Sequence, residues 1–421
     1  MKDNGFKPPI GKPTMGAHAM GVGAMMAGLD YFTGYPITPQ TELLEYISQE
    51  LPAHGGVFQQ LGDEISSIMA IYGAAACGKR VMTASVGPGL TLMIDGLTNA
   101  AGAETPMVIG AITRAHVGVS GGLYPAQSDI RMLKGLGNGD YHLPLLVPDS
   151  ITETAQLTAE AFDIADIYTT PVIVCIDGKM SNMIETLRPF TVPERELPPK
   201  DWGLDQPLSE GRRMVAAARF AELDTMICYE LQDKYRKMRE REVRYDAFMC
   251  DDAEVVVVAY GIMARVAREA VRRARSQGVK VGLFRPITIF PFPEDQLGEI
   301  ASRARAVLVT EINFGQALVD VRLAVNGRCP IQFIGQPAFP VPAQALVDAI
   351  HAVSRGEKVR PRTFEDVHPV NAVVESALTP ARRTAFERVA KEWGIGDDVQ
   401  GMVDELLGIR KSNVVPSVGK Y

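Results

Sequence analysis

The sequence predicts an α/β protein whose first part is a doubly wound parallel sheet and whose second part is a smaller α/β unit. Apolar runs of strand length alternate with helical runs from about residue 15 to 185, and the alternation resumes at Ala253. Such alternation builds parallel sheets that helices cover on both sides. The chain has 421 residues, of which 46% are hydrophobic and 22% charged, so it can bury a large core in two or three domains.

The first part contains predicted strands rich in β-branched, aromatic and aliphatic residues. These strands are Tyr31–Tyr35, Val57–Leu61, Arg80–Ser85, Met107–Thr113, Leu143–Val147 and Val172–Ile176. The helices predicted between them are Gln40–Leu51, Ile65–Ala76 and Ser150–Tyr168. The glycine-rich stretch Gly21–Gly28 follows no predicted strand and lacks the third glycine of a dinucleotide-binding turn, so we predict a close-packed helix there.

The second part follows a linker. The proline-rich stretch from Thr186 to about Glu210 is the predicted linker, and the charged run LQDKYRKMREREVRYD is a predicted solvated helix. AEVVVVAYG is a buried strand, and Gly278 is the predicted C-cap of the next helix. VKVGLFRP and AVLVTEIN supply further strands. The predicted domains are 1–190, the linker and charged helix 191–250, the second α/β domain 251–355, and an appendage 356–421 with a candidate helix at Pro380–Trp393.

Charge and composition exclude several classes of protein. The net charge of −7 and the pI near 5.5 argue against a nucleic-acid-binding protein. The N-terminus lacks the apolar core of a signal peptide, and no apolar run reaches the ~18–20 residues of a membrane helix, so we expect a cytoplasmic protein. The five cysteines are not clustered, so we expect neither an iron–sulfur cluster nor a metal in this chain.

Polar residues follow four of the predicted strands. In chain order they are Pro36–Pro39, Gly62–Glu64, Gly87–Gly89 and Arg114–His116. In open α/β sheets, ligands bind in the crevice beyond the carboxyl ends of the strands. The Thr38 hydroxyl, the Glu64 carboxylate and the Arg114 guanidinium are therefore expected to share one rim with a glycine-rich turn.

Each of these residues also has a purely structural interpretation. Thr38 and Pro39 suit the N-cap and first residue of the following helix. Glu64 lies in a first helical turn, where the helix dipole favours any carboxylate. Gly87 fits a plain tight turn, and Arg114 fits a pair with a nearby acid. The predicted convergence of all four at one sheet edge favours a functional site over these separate explanations.

Longer stretches around these residues resemble one known family. The stretches GYPITPQTE, GGVFQQLGDEISSIMAIYGAAACGKRVMTAS, GPGLTLM and ETPMVIGAITR, with the later RPITIFPFP and EINFGQALVDVR, resemble the alpha subunit of 2-oxoacid:ferredoxin oxidoreductases. The resemblance runs from about Met15 to about Leu346, and YPITP with PFP and E-x-N-x-GQ is its most specific part. It is nearest to the 2-oxoisovalerate (branched-chain) type, with the aryl relative phenylglyoxylate dehydrogenase as a competitor.

The resemblance implies a fold, a cofactor and partners. The fold is a pyrimidine-type thiamine diphosphate domain followed by a transketolase C-terminal-like domain. A separate beta subunit holds the magnesium and the diphosphate, which accounts for the missing G-D-G signature in this chain. Iron–sulfur clusters lie in ferredoxin-like partner subunits, and FAD in a partner is left open. Coenzyme A accepts the acyl group of a small 2-oxo acid, and neither nucleic acid nor membrane is a partner.

The resemblance also implies a role for individual residues of this chain. Glu64 matches the glutamate at the aminopyrimidine ring of thiamine, where a carboxylate hydrogen-bonded to the ring nitrogen favours the imino tautomer that takes up a proton. Ser85 and Gly87 are assigned to cofactor binding with it. Arg114 matches the arginine that orients the substrate carboxylate, and Thr38 the threonine that faces the same group.

Two segments depart from the family pattern. The family commonly reads G-N-E-A where this chain has Gly16–Ala19, and G-G-P where it has Ala115–Val117. His116 and Tyr124 are therefore candidates to line the acyl pocket, which makes an aromatic 2-oxo acid plausible, although His116 also fits a plain loop residue. The alternatives left open are a scaffold subunit without chemistry and a 2-oxoglutarate or pyruvate type. A nicotinamide dehydrogenase is disfavoured because no G-x-G-x-x-G is present.

Overall fold

The computed structural model describes residues 5–114, 125–206 and 221–367. Residues 1–361 form one compact unit, and a second unit begins at Arg362. Of the second unit the described part is 362–367, where Phe364–Val367 forms a short helix. The candidate helix Pro380–Trp393 lies outside the described residues. The three boundaries drawn from the sequence, between four segments, stay a prediction.

Strands and helices alternate along the described chain. The strands are β1 (Pro13–Met15), β2 (Tyr31–Gly34), β3 (Val57–Gln60), β4 (Val81–Val86), β5 (Met107–Thr113), β6 (Leu145–Leu146), β7 (Pro171–Asp177), β8 (Ile184–Thr186), β9 (Tyr245–Phe248), β10 (Val255–Val258), β11 (Val281–Pro286), β12 (Thr288–Phe290), β13 (Ala306–Glu311) and β14 (Ile331–Gly335). The helices are α1 (Gly16–Met26), α2 (Thr41–Ala53), α3 (Glu64–Ala76), α4 (Gly87–Leu92), α5 (Ile94–Gly102), α6 (Ile130–Lys134), α7 (Ile151–Tyr168), α8 (Gly178–Asn182), α9 (Ala221–Arg241), α10 (Gly261–Ser276), α11 (Glu294–Arg303), α12 (Leu318–Val325), α13 (Ala343–Ser354) and α14 (Phe364–Val367).

The first sheet is doubly wound. Its strand order is β12-β6-β7-β5-β4-β2-β3, and all neighbours are parallel except β12, which pairs antiparallel with β6. The chain runs from β2 outward to β3 and then returns to β4 on the other side of β2. The strand order therefore reverses between β2 and β4, which is the place where open α/β sheets bind ligands.

The predicted strands of this sheet are confirmed, with shifted ends. Leu143–Val147 shortens to β6, since the prolines at 144 and 148 remove two backbone donors. The sequence did not predict that Thr288–Phe290, from the second α/β part, would extend this sheet. It also missed the small antiparallel sheet of β1 and β8.

Helix α1 is close-packed, as the glycine-rich stretch predicts. A Cβ on Gly21 would lie 2.5 Å from the Tyr46 ring, and a Cβ on Gly23 would lie 2.2 Å from the Ala155 carbonyl oxygen. These contacts leave no room for larger side chains. The glycines therefore allow α1 to pack against α2 and α7 rather than against a nucleotide.

Helix α9 corrects the prediction of a solvated charged helix. Leu231, Tyr235 and Met238 recur at helical spacing and are buried in the same core as the first sheet. Charged residues on the other face form ion pairs such as Arg236 with Glu240. The C-terminal half of the helix is therefore amphipathic, with these three apolar residues on one buried stripe.

The second sheet has the order β14-β13-β10-β11-β9, with β9 antiparallel at one edge. Helix α10 ends at a C-cap residue, Gln277, and the next residue, Gly278, has a φ of +88°. The predicted glycine stop is therefore one residue beyond the cap. Apolar residues of both sheets belong to one hydrophobic cluster. No helix in the described ranges is long and apolar enough to cross a membrane.

Candidate active site

The loop after β2 is anchored to the neighbouring strand ends. Helix α2 begins at Thr41 with Gln40 as its N-cap, so Thr38 is not the cap that its local sequence suggests. The Ser181 hydroxyl, in helix α8 directly after β7, donates to the Pro39 carbonyl oxygen over 3.0 Å. The side chain of Thr38 itself is exposed. A structural role as helix cap therefore does not explain this threonine.

Arg114 reaches from the end of β5 to this loop. Its Nη1 donates to the carbonyl oxygen of Thr38 over 2.6 Å, although the two residues are 76 positions apart. This hydrogen bond joins the end of β5 to the loop after β2, although β4 lies between these two strands in the sheet. Arg114 is only 8% exposed. The structure thus brings these two candidates together, through the main chain of the threonine.

Glu64 forms a second small cluster with Ser85. It is the first residue of α3, whose N-cap Asp63 accepts a hydrogen bond from the Ser66 amide over 2.6 Å. Glu64 is 4% exposed, and its Oε1 accepts a hydrogen bond from the Ser85 hydroxyl over 3.2 Å. A Cβ on Gly89 would lie 2.2 Å from the same oxygen. The carboxylate is therefore held against the bare backbone of the turn after β4.

Helix α4 connects the two clusters. Its third residue, Gly89, lies against Glu64, and its first residue, Gly87, lines a cavity of about 830 Å³ together with Arg114. The far wall of the cavity is the loop after β13 in the second sheet. The lining residues are Gly87, Pro88, Thr91, Arg114, Ser128, Asp129, Arg131, Asn313, Phe314, Gly315, Gln316, Val319 and Pro337. Glu64, Ser85 and Thr38 are not lining residues, so the cavity lies beside them rather than over them.

The sequence analysis missed Asp129 as a site residue. Burial raises the pKa of its carboxyl to about 6, while the amide and the charge of Arg114 oppose that rise. Asp129 ends the segment Arg114–Asp129, which contains the departure from the family pattern at Ala115–Val117, and it directly precedes α6. The signal in the sequence that could have identified it is an aspartate directly before a short helix. This signal is weak because Asp is common at such positions as an ordinary helix cap.

The two sheets are joined at the cavity by buried amides. Gln127 donates to the Tyr260 carbonyl oxygen over 2.9 Å and accepts from the Ile312 amide over 3.0 Å. Asn313 donates to the Gln127 carbonyl oxygen over 2.7 Å and to the Glu311 carboxylate over 2.9 Å. These contacts show that the E-x-N-x-GQ segment lies beside the cavity. Burial raises the pKa of Glu311, which also accepts the Tyr260 hydroxyl.

Two of the predicted residues cannot be placed. His116 and Tyr124 lie outside the described residues. Over the described ranges 5–114, 125–206 and 221–367, no group of three or more His, Cys, Asp or Glu side chains is arranged to hold a metal ion.

Comparisons with known proteins agree with this arrangement of two α/β parts. Residues 22–248 match the family of pyruvate flavodoxin/ferredoxin oxidoreductase, thiamine diphosphate-binding domains. Residues 253–346 match core domain II of pyruvate:ferredoxin oxidoreductase. Among solved structures, a 2-oxoglutarate:ferredoxin oxidoreductase from Magnetococcus marinus superimposes with a TM-score of 0.73 at 24% identity, over 83% of this chain and 66% of that one. A split-gene transketolase matches with a TM-score of 0.50 at 16% identity. These structures establish the fold, which confirms the predicted class.

Curated relatives establish the family. Ketoisovalerate oxidoreductase subunit VorB of Methanothermobacter thermautotrophicus is 43% identical over 316 residues, which cover 74% of this chain and 89% of the relative. 2-oxoglutarate synthase subunit KorA of Methanothermobacter marburgensis is 33% identical over 349 residues, which cover 76% and 92%. The chain therefore belongs to the 2-oxoacid:ferredoxin oxidoreductases, an oxidoreductase family of multi-subunit enzymes, as an alpha-type subunit.

Proposed function

We propose that this chain is the alpha subunit of a thiamine diphosphate-dependent enzyme that oxidatively decarboxylates a branched-chain or aryl 2-oxo acid to acyl-CoA and CO2. Electrons pass to iron–sulfur partner subunits. The observation that carries the proposal is the buried Glu64 carboxylate, held against Ser85 and Gly89 at the point where the strand order reverses. A carboxylate there is the group that an aminopyrimidine ring requires.

The residues present fit one half of thiamine diphosphate. Gly89 has no Cβ, and a Cβ there would overlap the Glu64 oxygen, so the glycine lets the carboxylate pack directly against the backbone of α4. Glu64 would hold the ring by a hydrogen bond and maintain its proton-accepting form, while Ser85 orients the carboxylate. When bound, the cofactor supplies the electron sink for loss of CO2. The magnesium and the diphosphate are assigned to a beta subunit.

Arg114 would bind the carboxylate of the 2-oxo acid. Its guanidinium is held at the Thr38 carbonyl oxygen and borders the cavity, and a planar fork of N–H donors suits a carboxylate. Pro88, Phe314 and Val319 add apolar surface to the same cavity. That surface favours an acid with an apolar remainder, as does the 43% identity to a ketoisovalerate oxidoreductase subunit. The aryl substrate is the less supported of the two.

Exposed apolar side chains beside the site suit a partner subunit. Ile65 and Met69 lie one turn apart on α3 and are 50% and 45% exposed. Val319 and Leu323 lie one turn apart on α12, and Phe314 beside them is 76% exposed. Large exposed apolar side chains beside a cofactor site that a second subunit completes are typical of a protein–protein interface. The cytoplasmic location and a ferredoxin-like electron acceptor stay predictions.

A substrate screen tests the proposal. The complex, purified with its native partners, would receive thiamine diphosphate, magnesium, coenzyme A and an oxidised viologen dye without oxygen. We expect dye reduction with 2-oxoisovalerate or phenylglyoxylate and weaker reduction with pyruvate, 2-oxoglutarate and indolepyruvate. Preference for 2-oxoglutarate would overturn the substrate assignment. No reduction with any acid, in a complex that retains thiamine diphosphate, would favour a scaffold subunit.

A further inference from the structure

The loop after β13, residues 312–317, carries one large apolar side chain that is exposed beside the cavity. Phe314 lines the cavity and is 76% exposed, whereas Ile312 and Ala317 at the two ends of the loop are buried. Single exposed apolar side chains are common at protein surfaces, so exposure alone assigns no role to this ring. Its role follows from how the loop is held and from what lies beside the ring.

A buried carboxylate holds both ends of this loop. Glu311, the last residue of β13, is fully buried and lies directly before the loop. Its Oε2 accepts the Tyr260 hydroxyl over 2.8 Å and the Asn313 side-chain amide over 2.9 Å. The main-chain amides of Ala317 and Leu318 donate to its Oε2 and Oε1 over 3.0 Å and 2.9 Å. Because buried polar groups are costly to leave unpaired, this carboxylate keeps the loop in one conformation.

The tip of the loop is fixed as well. The Asn313 side-chain oxygen accepts the amides of Gly315 over 2.6 Å and Gln316 over 3.0 Å. Gly315 has a φ of +98°, in the region that favours glycine. Gln316 in turn accepts the Arg131 amide over 2.8 Å, which ties the tip to α6 in the first α/β part. Phe314 therefore stands on a backbone that is held on both sides.

The ring belongs to the cavity rather than to the surface beyond it. Phe314 and Val319 line the cavity, and Leu323, one turn further along α12, does not. Arg114 and Pro88 line the same cavity from the first α/β part. A 2-oxo acid whose carboxylate meets the guanidinium therefore has apolar surface from both parts of the chain around its side chain.

We propose that Phe314 is a specificity-determining residue: its ring contacts the side chain of the 2-oxo acid and favours an apolar side chain over one that ends in a carboxylate. The inference rests on the proposed function in so far as the cavity binds the 2-oxo acid beside Arg114. The ring is preorganised because its loop is held, so little conformational freedom is lost on binding. A second carboxylate placed against the ring would lose water without gaining a hydrogen bond there. The second α/β part thus takes part in substrate selection.

Kinetics on the reconstituted complex test this assignment. Phe314→Ala should lower kcat/KM about tenfold for the apolar acid that the wild type prefers, 2-oxoisovalerate or phenylglyoxylate, because a large apolar contact is lost. It should change kcat/KM for pyruvate by less than about twofold, since pyruvate carries only a methyl group. Phe314→Leu keeps an apolar side chain and should stay within about threefold of wild type with each acid.

The matched control is Tyr229→Ala, because this aromatic side chain is also 76% exposed but does not line the cavity. It should leave both values unchanged. An equal loss with both acids in Phe314→Ala, or no loss, would overturn the proposal. A wild-type preference for 2-oxoglutarate would overturn it too. Dissociation of the Phe314→Ala complex would also overturn it, because the ring would then belong to a subunit interface.

A binding measurement separates this inference from the proposed reaction. The probe is 2-hydroxyisovalerate, which has the side chain of 2-oxoisovalerate but lacks the carbonyl group that reacts. In calorimetry we expect the wild-type complex to bind it, with binding about tenfold weaker in Phe314→Ala and unchanged in Tyr229→Ala. That result in a complex that turns over no acid would refute the proposed function and support the role of Phe314. Equal binding by wild type and Phe314→Ala, or no binding by either, would refute that role.

Discussion

At the scale of single residues, the site depends on side chains whose partners are distant in sequence. Glu64 receives the Ser85 hydroxyl from the end of β4, and Arg114 donates to Thr38 across an intervening strand. Glu64 is almost fully buried, so its carboxylate is shielded from water and its electrostatic interactions with neighbouring groups are strengthened. Its role in the reaction is therefore the first one to test.

Glu64→Gln should reduce turnover by about 10² to 10⁴, because a neutral amide carries no charge and cannot exchange a proton with the ring nitrogen. The substitution is isosteric, so the complex should assemble with unchanged mass. Asp63→Asn is the matched control: it changes the neighbouring acid but keeps an N-cap oxygen for Ser66. Steady-state kinetics on both variants would check the difference. Full activity in Glu64→Gln would remove this residue from the proposed chemistry.

At the scale of elements, short helices begin at the strand ends and orient the site. Helix α8 follows β7 directly, and Asp177 caps it by accepting the amides of Lys179 and Met180. Burial nevertheless raises the pKa of Asp177 to about 6. Ionising this buried carboxylate therefore costs free energy, so the stability of this element depends on pH.

Asp177→Asn should stabilise the chain at pH 7 and flatten its response to pH. In the wild type, the folded pKa of about 6 lies above the ordinary value of 3.8, so the native state holds the proton more tightly. The contribution of Asp177 to the free energy of unfolding is then complete below pH ~4 and lost as the pH rises through 6. The expected difference at pH 7 is on the order of 2 kcal/mol. Denaturant titrations at pH 4 and pH 7 would measure it, and an equal response in both proteins would contradict it.

The exposed apolar side chains on α3 and α12 permit a test of the partner surface. Met69→Glu or Leu323→Glu should weaken association with the thiamine-completing subunit, because a buried, unpaired charge opposes the interface. The control is Val57→Glu, since Val57 is 56% exposed but begins β3, at the amino end of the strand and away from the carboxyl ends where the site lies. Co-purification and mass measurement of the complex would report the outcome. An intact complex in both test variants would place the interface elsewhere.

At the scale of the whole molecule, the two sheets meet in one core and are joined beside the cavity. Strand β12 extends the first sheet, and Gln127 bridges to the main chain of Tyr260 and Ile312. The cavity is therefore built from both parts of the chain. Its shape therefore depends on the strength of the contacts between the two parts.

Gln127→Ala should lower the melting temperature by several degrees, because it removes the buried hydrogen bonds from this side chain to the main chain at 260 and 312. Gln332→Ala is the control, as its side chain bonds to main chain at the exposed surface. Calorimetry would measure the transition, and a single unchanged peak for Gln127→Ala would mean that the joint contributes little.

Much of the architecture follows from local patterns in the sequence. The apolar runs specify β2, β3, β4, β5 and β7 almost to the residue, because strand and helix periodicity are properties of neighbouring residues. The polar residues after these strands were predicted to share a rim, and Arg114 does contact the Thr38 loop. Motif matches over most of the chain predicted the family, which the relatives confirm.

Only the tertiary structure decided the remaining features. The placement of β12 in the first sheet, the hydrogen bond between Arg114 and Thr38, and the joint between Gln127 and Ile312 each depend on residues far apart in the chain. Gln127 and Ile312 are 185 positions apart, and no local periodicity encodes such a contact. An aspartate before a short helix suggests a cap locally, and only the folded chain shows that Asp129 does not cap α6. Long-range contacts form when the whole core packs, so the sequence specifies them jointly rather than segment by segment.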